Sequence, residues 1–459
     1  MWSSACDRAG KAVPLLTGGL PLLGHAIEFH RDPIGLIRRG RDRFGDLFAF
    51  RLLGHRVNVL TGVAGNEAFF KAPDATLSPR EAYRFTVPIF GKGVAYDVEP
   101  ESMDRQLRLV HPALRDDRMQ SHAAVIAAEV DAHLDRWGES GEIDLVAAMN
   151  EITIYAAGRC LLGPEFRSRL SREFVRLYHD LEGGINLVAF FAPNFPLPAM
   201  ARRDRARARV VSLIAGLAAA RRASEAGHED FLATLAAARD ADGAPLTDDV
   251  ITGLLLTLLF AGQHTSAVLA AWTGILLLQH PQHLAAVMAE QETVLGGQGM
   301  TLAALKQLAR LEACIKEAER LHPPLIMLMR KVVAPFEFDG CVIPAGDLAL
   351  ASPAVSHRLA AVFADPARYD PGRFLPGREE DRRTPYALIG FGGGKHRCIG
   401  LAFAYLQVKV IWSVVLKRYA LSLVDRNPQP SYATFVVAPR APCRVRYRRR
   451  SPEEASIAA

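Results

Sequence analysis

One uninterrupted helical pattern in the middle of the chain limits the folds that are open to it. From Thr247, a residue suited to cap a helix, apolar residues recur at helical spacing until Pro281 ends the run. Length and apolar character alone would allow this segment to span a membrane. Its centre, however, reads QHTS at 263–266, so polar groups face every direction around the helix. We therefore expect a helix that is buried in a large core and carries function at its midpoint.

The composition is consistent with one large core. Half of the 459 residues are hydrophobic, and no linker, repeat or low-complexity segment divides the chain. We expect 1–459 to form a single domain, with 1–13 and 450–459 as flexible tails. The net charge of +6 arises from basic residues scattered among acids, which gives little support to nucleic-acid binding. The six cysteines lie far apart without the spacing of a disulfide framework, which favours a reducing compartment.

The rest of the chain is predicted to be mainly helical with short strands. Helical spacing covers most of 102–240 and all of 303–321, and alternation around a Gly-His turn predicts a hairpin at 46–62. Strand-like clusters follow at 332–352 and 431–447. Because helices and strands do not alternate regularly, the order predicts a helix-rich fold with small separate sheets.

A single cysteine carries the clearest chemical signal. Residues 391–400 read FGGGKHRCIG, and an apolar helical pattern begins directly after them. The glycines allow a tight loop, while the N–H groups of a helix start and the flanking Lys, His and Arg side chains stabilise a thiolate at Cys398. A zinc site would need more cysteines or histidines at ligand spacing, whereas a haem iron needs only one such axial ligand. The simpler alternative is a buried structural cysteine in a glycine turn.

This stretch resembles the haem-binding loop of the cytochrome P-450 family, written F-x-x-G-x-R-x-C-x-G, at Phe391, Gly394, Cys398 and Gly400. His396 replaces the usual arginine, as it does in the sterol 14α-demethylases of that family. The resemblance implies a mainly α cytochrome P-450 fold, helix-rich and single-domain with small β-sheets. It also implies haem b as the cofactor, with Cys398 as the axial thiolate ligand of the iron, and molecular oxygen as co-substrate.

A second motif supports the same family. Glu317 and Arg320 lie at i and i+3 on one helix face, and from that spacing alone a surface ion pair is the simpler interpretation. LHPPLIMLMR follows the pair, and DPGRF stands before the cysteine loop. This ordered set resembles the family's E-x-x-R pair with its P-x-R-F partner. It implies a structural triad of Glu317, Arg320 and Arg373, and the resemblance extends over about residues 14–449.

The resemblance also implies how the haem is held. Haem propionates need cationic or hydroxyl donors, which sterol 14α-demethylases take from an arginine, a histidine and two tyrosines of a substrate-side loop. Those enzymes often add a lysine from the next helix, where this chain offers only Arg105 or Arg108 as replacements. Taken alone, each tyrosine would more simply be a core residue. The implied cofactor-binding residues are Cys398, Tyr83, Tyr96, Arg330, His396, Phe391 and Gly394.

The centre of the long helix matches the family's oxygen-activating motif. Small Ala261 and Gly262 leave room for oxygen, and Thr265 can hydrogen-bond oxygen and hold a proton-carrying water. His264 replaces the acid of many family members and is the sterol 14α-demethylase form; alternatively it is a buried, satisfied histidine. Glu182 resembles the acid that meets this histidine, a pair that would keep His264 charged and link it to proton delivery. Otherwise Glu182 is a solvated residue near a helix end.

These residues imply an activity on a large, nearly hydrocarbon substrate, because the expected pocket contains no charged side chain. The resemblance implies removal of the 14α-methyl group of a sterol precursor by three successive oxidations with release of formate. Two alternatives stay open: a monooxygenase of another polycyclic triterpenoid, and a non-catalytic haem-based binding or sensor protein. The implied substrate-binding residues are Tyr83, Phe85, Phe90, Ile185, Ala261, Leu325 and Met327.

Electrons must come from another protein, because the chain contains no flavin, nicotinamide or iron–sulfur fingerprint. We expect a ferredoxin-type donor with its reductase, docking near Lys395, Arg397, Lys409 and Lys417. The first residues, MWSSACDRAGKAVPLL, are too interrupted by charge and proline for a signal peptide or membrane anchor. We therefore expect a soluble, cytoplasmic, bacterial monomer without a membrane span.

Overall fold

A computed structural model gives the positions of residues 11–166, 171–185, 189–190, 192–223, 230–240 and 242–451, without the side chains of 171–172 and 297–298. The predicted tails at 1–13 and 450–459 lie mostly outside these described residues. Contacts divide the chain into two compact units, each built from three separate segments. The first unit is Met1–Tyr83, Leu325–Arg368 and Glu379–Cys398, and the second is Arg84–Pro324, Tyr369–Arg378 and Ile399–Ala459.

Helices dominate the described part of the chain. The α-helices are α1 (Ala26–Arg31), α2 (Pro33–Phe44), α3 (Gly62–Lys71), α4 (Pro79–Ala82), α5 (Val87–Phe90), α6 (Pro100–Val110), α7 (Asp116–Leu134), α8 (Leu145–Leu162), α9 (Ser171–Glu182), α10 (Pro198–Ala223), α11 (Phe231–Ala237), α12 (Asp248–Gln279), α13 (Pro281–Gln298), α14 (Leu302–Gln307), α15 (Ala309–Leu321), α16 (Pro353–Ser356), α17 (Glu380–Arg383) and α18 (Leu401–Arg418). The strands are β1 (Lys11–Ala12), β2 (Leu47–Leu52), β3 (His55–Leu60), β4 (Leu77–Ser78), β5 (Ser140–Asp144), β6 (Leu328–Val332), β7 (Phe336–Phe338), β8 (Cys341–Ile343), β9 (Leu348–Ala351), β10 (Tyr419–Leu423) and β11 (Arg444–Arg449).

The first unit is organised around two sheets. Its five-stranded sheet has the order β2–β3–β9–β6–β4, in which β3 and β9 run parallel and the other neighbours antiparallel. A three-stranded sheet has the order β1–β8–β7. Apolar side chains such as Leu47, Leu60, Phe69 and Ile343 form one buried cluster. That cluster supports the segment that carries the cysteine loop, because Ile389 belongs to it.

The second unit contains α5–α15, α18 and the antiparallel sheet β10–β11–β5. One large buried cluster in it includes side chains of α8, α9, α10, α11 and α12, for example Ile154, Tyr178, Val210, Leu232 and Leu255. These helices bury apolar faces against one another, which stabilises each of them more than helix propensity alone would. The long helix α12 therefore has neighbours on most of its length.

The predicted central helix is confirmed as α12. The hydroxyl of Thr247 accepts a hydrogen bond from the N–H of Val250 at 3.3 Å and caps the first turn, and Pro281 begins the next helix. Both α8 and α12 are long and apolar enough to cross a membrane, and 61% of the apolar window of each is buried inside the described structure. Residues 251–256 and 266–277 of α12 are all buried, as expected of a helix that crosses a core.

The strand predictions are only partly right. The hairpin at 46–62 is confirmed, because β2 and β3 pair antiparallel with Leu47 opposite Leu60. The strand cluster predicted at 431–447 is wrong in its first part, since only β11 within that range is a strand. Pro439 and Pro442 lack the N–H group that a ladder needs, so the chain is irregular before β11. The partners of β11 in the sheet, β5 and β10, were not predicted.

Candidate active site

Cys398 lies at the end of a tight loop directly before α18. Gly392 and Gly394 have φ angles of 72° and 59°, in the left-handed region that suits glycine. The N–H of Cys398 donates to the carbonyl of Phe391 at 2.8 Å, which closes the loop. A Cβ atom on Gly394 would stand 2.9 Å from the carbonyl oxygen of Phe70, so the loop approaches α3 too closely for a side chain there. Cys398 is exposed, and its thiol can therefore reach a ligand.

The same loop is tied to a carboxylate that the sequence analysis missed. His396 and Lys395 contact Asp74 at 2.6 and 2.8 Å, and Nη1 of Arg330 lies 3.8 Å from it. Partial burial tends to raise the pKa of the Asp74 carboxyl, but the hydrogen bonds from Lys395 and His396 outweigh burial and hold that pKa below its ordinary value. Two cationic side chains and one histidine therefore converge on one carboxylate, and burial lowers the pKa of that histidine, His396.

Two further predicted residues lie on or beside β6. Arg330 is buried, and its guanidinium lies 5.0 Å from the centre of the Phe69 ring. The hydroxyl of Tyr83 accepts a hydrogen bond from the N–H of Met329 at 3.3 Å. Burial raises the pKa of the Tyr83 hydroxyl, so the group keeps its proton and can still donate it to an acceptor. Tyr83, Arg330, His396 and Cys398 thus all belong to the first unit.

These residues fit a haem. Cys398 offers one accessible thiol, which is the single axial ligand that haem iron requires from the protein. Arg330, Lys395 and His396 already surround a carboxylate, which is the group that a haem propionate presents. No group of three or more His, Cys, Asp or Glu side chains suited to a bare metal ion occurs among the described residues. The donor set therefore suits haem better than a zinc-type site.

Helix α12 has a solvent-accessible stretch at its centre, residues 261–262 and 264–265, which we call the opening of α12. Between its two buried runs, Ala261 is exposed, and Gly262, His264 and Thr265 are partly exposed. A Cβ atom on Gly262 would meet no atom within 4 Å, so there is open space beside it. The hydroxyl of Thr265 donates to the carbonyl of Ala261 at 2.6 Å, which leaves its oxygen able to accept a hydrogen bond. Open space and an oriented hydroxyl therefore occur at the midpoint of the buried helix.

His264 and Glu182 form an ion pair between α12 and the end of α9, with Nε2 of the histidine against Oε1 of the carboxylate. The other carboxylate oxygen lies 2.9 Å from Nδ1 of His179. Tyr178 stacks beside His264 with ring centres 6.2 Å apart, and its hydroxyl donates to Oε1 of Gln263 at 3.2 Å. The structure thus brings together the two residues that the sequence predicted as a pair, and their catalytic role stays a prediction.

Glu317, Arg320 and Arg373 also lie in contact. Nε and Nη2 of Arg320 donate to the two carboxylate oxygens of Glu317 at 2.6 and 2.8 Å. Nε of Arg373 lies 3.4 Å from the same carboxylate, which also accepts the backbone N–H of Asp370 at 2.8 Å. All three side chains of the predicted triad are at most 1% exposed. The surface ion pair that the spacing alone would suggest is therefore not what the structure contains.

Aromatic rings surround two of the predicted substrate-binding residues. Phe85 packs against Phe190 and Phe435, with ring centres 5.2 and 5.6 Å apart. Phe90 meets the ring of Phe260 on α12 edge-on at 5.8 Å. Ile185 and Ala261 also belong to the second unit, whereas Tyr83, Leu325 and Met327 belong to the first. In each unit the predicted substrate-binding residues are aliphatic or aromatic, as the sequence led us to expect.

The remaining predicted haem contacts lie in the second unit. Tyr96 is partly buried and packs against the large core cluster of that unit. Arg105 donates to the hydroxyl of Ser102 at 2.6 Å. Arg105 and Arg108 line an open cavity of about 500 Å³ together with Arg239. Their assignment as replacements for the family's lysine stays a prediction.

Several residues around the site were missed by the sequence analysis. Asp74 and Phe435 lie far along the chain from the side chains they contact, and no local spacing marks them. Gln263 and Tyr178 form a hydrogen bond across 85 residues. His179 alone carried a local signal, because it precedes Glu182 by three positions and so shares its helix face.

The fold and the site together define a haem-thiolate protein: a mainly helical chain, one accessible cysteine before an apolar helix, and an opening at the midpoint of a buried helix. The model of the cytochrome P450 family matches residues 14–445. The chain therefore belongs to the cytochrome P450 family, and the fold class predicted from the sequence is confirmed.

Within that family, the chain is similar to proteins named for one reaction. The sterol 14alpha-demethylase of Mycobacterium tuberculosis is 42% identical over 449 residues, which cover 96% of this chain and 99% of that protein. The obtusifoliol 14-alpha demethylase of Sorghum bicolor is 38% identical, with 96% and 91% covered. The lanosterol 14-alpha demethylase of Bos taurus is 37% identical, with 96% and 88% covered.

Solved structures share the fold. The retinoic acid-bound cyanobacterial CYP120A1 superimposes with a TM-score of 0.84 at 24% identity, covering 96% of this chain and 100% of the other. The cytochrome P450DA heme domain gives a TM-score of 0.82 at 22% identity, with 97% and 100% covered. At these identities the likeness concerns the fold alone.

Proposed function

We propose that this chain is a haem-thiolate monooxygenase that removes the 14α-methyl group of a sterol by three successive oxidations, with release of formate. The observation that carries this proposal is the contact between Glu182 and His264 at the opening of α12. Near full-length similarity to proteins named as demethylases at this sterol position supports it. The same similarity does not favour a hopanoid monooxygenase or a non-catalytic haem sensor.

The chain's own residues control proton supply at the opening. The hydroxyl of Thr265 donates to the carbonyl of Ala261, so its oxygen can accept a hydrogen bond from a water at the opening. His264, fixed by Glu182, is a proton donor one residue away. Haem supplies the oxygen chemistry when it is bound, and the protein supplies the thiolate, the proton path and the shape of the pocket.

The cofactor in this proposal is haem b. Cys398 would supply a thiolate to its iron, and Arg330, His396 and Tyr83 would hold its propionates. The contacts of Arg330 and His396 with Asp74 support the assignment, because they are contacts to a carboxylate. Phe391 and Gly394 shape the loop through the closing hydrogen bond and the close approach to α3.

The substrate in this proposal is a large apolar sterol. Phe85, Phe90, Ile185 and Ala261 would contact it from the second unit, and none of these side chains carries a charge. Aromatic rings provide rigid apolar surface, which suits a fused hydrocarbon skeleton better than a flexible chain. Tyr83, Leu325 and Met327 complete the predicted substrate-binding set, and none of them carries a charge either.

A ferredoxin-type donor with its reductase supplies the electrons in this proposal. Lys395, Arg397 and Lys417 are exposed and could attract an acidic partner. Lys409 was predicted to join them, and that prediction is wrong. Its side chain is only 6% exposed, and Nζ is bound to Glu312 at 2.7 Å and to the carbonyl of Leu305 at 2.9 Å, so it is not available for docking.

The chain acts as a cytoplasmic monomer in this proposal, and neither α8 nor α12 crosses a membrane. Most of the apolar window of each helix is buried against protein, which leaves little apolar surface for lipid. Size-exclusion chromatography of the detergent-free protein tests this part of the proposal. Elution as a monomer without detergent is expected, and recovery only from the membrane fraction would contradict it.

Reconstitution tests the function. The haem-loaded chain, with a ferredoxin, its reductase and reduced nicotinamide, is incubated with lanosterol, obtusifoliol or a hopanoid, and products are identified by mass spectrometry. We expect a sterol product lacking the 14α-methyl group, together with stoichiometric formate. Oxidation of the hopanoid alone would indicate a different triterpenoid substrate. If reduced nicotinamide is not consumed with any of these substrates, the chain is a binding or sensor protein.

A further inference from the structure

Glu182 bridges two histidines, only one of which lies on α12. Its Oε1 contacts Nε2 of His264, and its Oε2 lies 2.9 Å from Nδ1 of His179. His179 precedes Glu182 by one helical turn on α9, so both side chains lie on the same face. A carboxylate between two imidazoles is an arrangement that can pass a proton from one ring to the other.

Exposure differs along these three side chains. The side chain of His179 is 64% exposed, that of Glu182 is 19% exposed, and that of His264 is 32% exposed at the opening of α12. The outer histidine therefore exchanges protons directly with bulk water, while the carboxylate behind it is largely shielded. An imidazole has two ring nitrogens, so it can accept a proton at one of them and donate a proton from the other.

We propose that His179 is the solvent-side entry of the proton path and acts through Glu182 on His264. The proposal deepens the proposed function, because it assigns the source of the protons that the monooxygenation consumes. His179 touches neither cofactor nor substrate in this role. It passes protons to Glu182, and Glu182 in turn passes them to His264 at the opening of α12.

The transfer balances as proton movement alone. In the starting state His264 is protonated and paired with the carboxylate of Glu182. His264 releases its Nδ1 proton toward the opening, and the neutral ring rotates so that its unprotonated nitrogen faces Glu182. His179 takes a proton from hydronium at Nε2 and gives its Nδ1 proton to Oε2 of Glu182. Rotation of the neutral carboxyl group then brings that O–H to His264, which takes the proton and restores the pair, and proton exchange with water restores the starting tautomer of His179. No bond other than those to hydrogen changes.

Two arginines on the helix that packs against α9 have carboxylate partners of their own. On α10, which packs against α9, Arg203 is bound to Asp204 at 2.8 Å. Arg209 of the same helix is bound to Glu173 at 2.7 Å. On α12, the neighbour of His264 is the neutral amide of Gln263, and on α9 the hydroxyl of Tyr178 bonds to that amide. On α9 itself, Asp180 follows His179 directly and Arg176 lies one turn before it.

Two substitutions at His179 separate a proton path from a structural contact. His179→Gln removes the titrating group, and we expect product formed per electron to fall about tenfold, less than the loss expected for a group that donates the proton itself. The solvent isotope effect on turnover should rise, and substrate-binding spectra should not change. His179→Lys keeps a cation beside Glu182, but a lysine with an ordinary pKa near 10.4 releases protons poorly at pH 7. It should therefore resemble the glutamine variant.

A measurement that does not depend on turnover completes the test. In the reduced, carbon monoxide-bound protein labelled with 15N-histidine, hydrogen exchange at the imidazole of His264 should slow in both His179 variants. His30→Gln, at an exposed histidine on α1, is the matched control. It should leave both hydrogen exchange at His264 and the product formed per electron at wild-type values.

Three results would overturn the proposal. They are a wild-type yield of product per electron in His179→Gln, full recovery of that yield in His179→Lys, or an unchanged rate of hydrogen exchange at the His264 imidazole. The second result would mean that His179 only holds Glu182 in place. If the wild-type chain forms no product from any sterol, the proposed function fails, whereas the exchange measurement still decides whether His179 supplies protons to His264.

Discussion

Glu317 and Arg320 form a two-point ion pair with neither side chain exposed to solvent. Nε and Nη2 of Arg320 reach the two carboxylate oxygens of Glu317 at 2.6 and 2.8 Å, and both side chains are 0% exposed. The same carboxylate lies 3.4 Å from Arg373, so α15 is joined to the segment at 371–374 by charge. A buried pair of this kind gives little net stability against an apolar replacement, but it is intolerant of losing one partner.

The first prediction concerns the removal of the Glu317 carboxylate. Glu317→Ala should lower the free energy of unfolding by about 3–5 kcal/mol, because two buried arginines lose their carboxylate. Haem incorporation should fall with it, as measured by denaturant unfolding and by the absorbance ratio of haem to protein. Glu67→Ala, which removes an exposed ion pair with Lys71 on α3, is the control and should change stability little. Wild-type unfolding of Glu317→Ala would contradict a structural role for the triad.

The second prediction concerns the iron ligand. Reduced, carbon monoxide-bound protein should show the red-shifted Soret band of a thiolate-ligated haem, and Cys398→His should lose that band even if haem stays bound. Cys443→Ala, at a buried cysteine of the second unit, should keep it. Persistence of the thiolate band in Cys398→His would remove the basis of the cofactor assignment.

The third prediction concerns Thr265. Thr265→Ala should bind substrate normally but divert electrons to hydrogen peroxide, because proton supply at the opening of α12 is impaired. The loss of coupling should be about tenfold or more, measured as product and peroxide per reduced nicotinamide consumed. Thr273→Ala is matched to it, since Thr273 lies on the same helix and also donates to the carbonyl four residues back, at 2.7 Å. Equal coupling in the two variants would argue against a role for Thr265.

The fourth prediction tests the ion pair between α9 and α12. If Glu182 and His264 act in one proton path, the double alanine variant should turn over no more slowly than the poorer single variant. Haem spectra should stay thiolate-like in all three proteins, because neither residue belongs to the cysteine loop. Losses that multiply, or wild-type turnover in Glu182→Ala, would mean that protons reach the opening by another route.

The fifth prediction concerns thiol reactivity. Burial raises the pKa of the Cys314 thiol to about 12 and that of Cys443 to about 11, so both stay protonated at pH 8 and should resist alkylation. Cys398 is exposed and should react once haem is extracted, but not while haem is bound. Mass mapping of iodoacetamide adducts before and after extraction measures this. Rapid modification of Cys314 in the haem-loaded protein would show that its surroundings open.

Local patterns predicted the parts of the site that neighbouring residues build. The glycines around Cys398 predicted a tight loop because positive φ angles are accessible to glycine, and Gly392 and Gly394 adopt them. Helix α12 followed from its cap, its apolar spacing and its terminal proline. The wrong part of the 431–447 strand prediction has a local cause too, since prolines in that stretch cannot donate to a ladder.

Other features could not be predicted because their partners are distant along the chain. Asp74 lies 322 positions before His396, and nothing in its surrounding sequence marks it as the carboxylate that His396, Lys395 and Arg330 approach. Lys409 shows the opposite error: its charge suggested a docking surface, but its helix turns the ammonium toward Glu312. Charge can be read from sequence, whereas its exposure depends on which helices pack together.

By itself, the amino-acid sequence determined the thiolate loop, the central helix and the chemistry available at each, because these depend on backbone preferences and on residue spacing within one element. Tertiary structure decided which side chains of separate helices meet and which are buried. Tyr178 meets Gln263 across 85 residues, Lys409 contacts Glu312, and Glu317 is buried instead of exposed. Such contacts depend on how separate helices bury their apolar faces, and no local pattern in the chain encodes that arrangement.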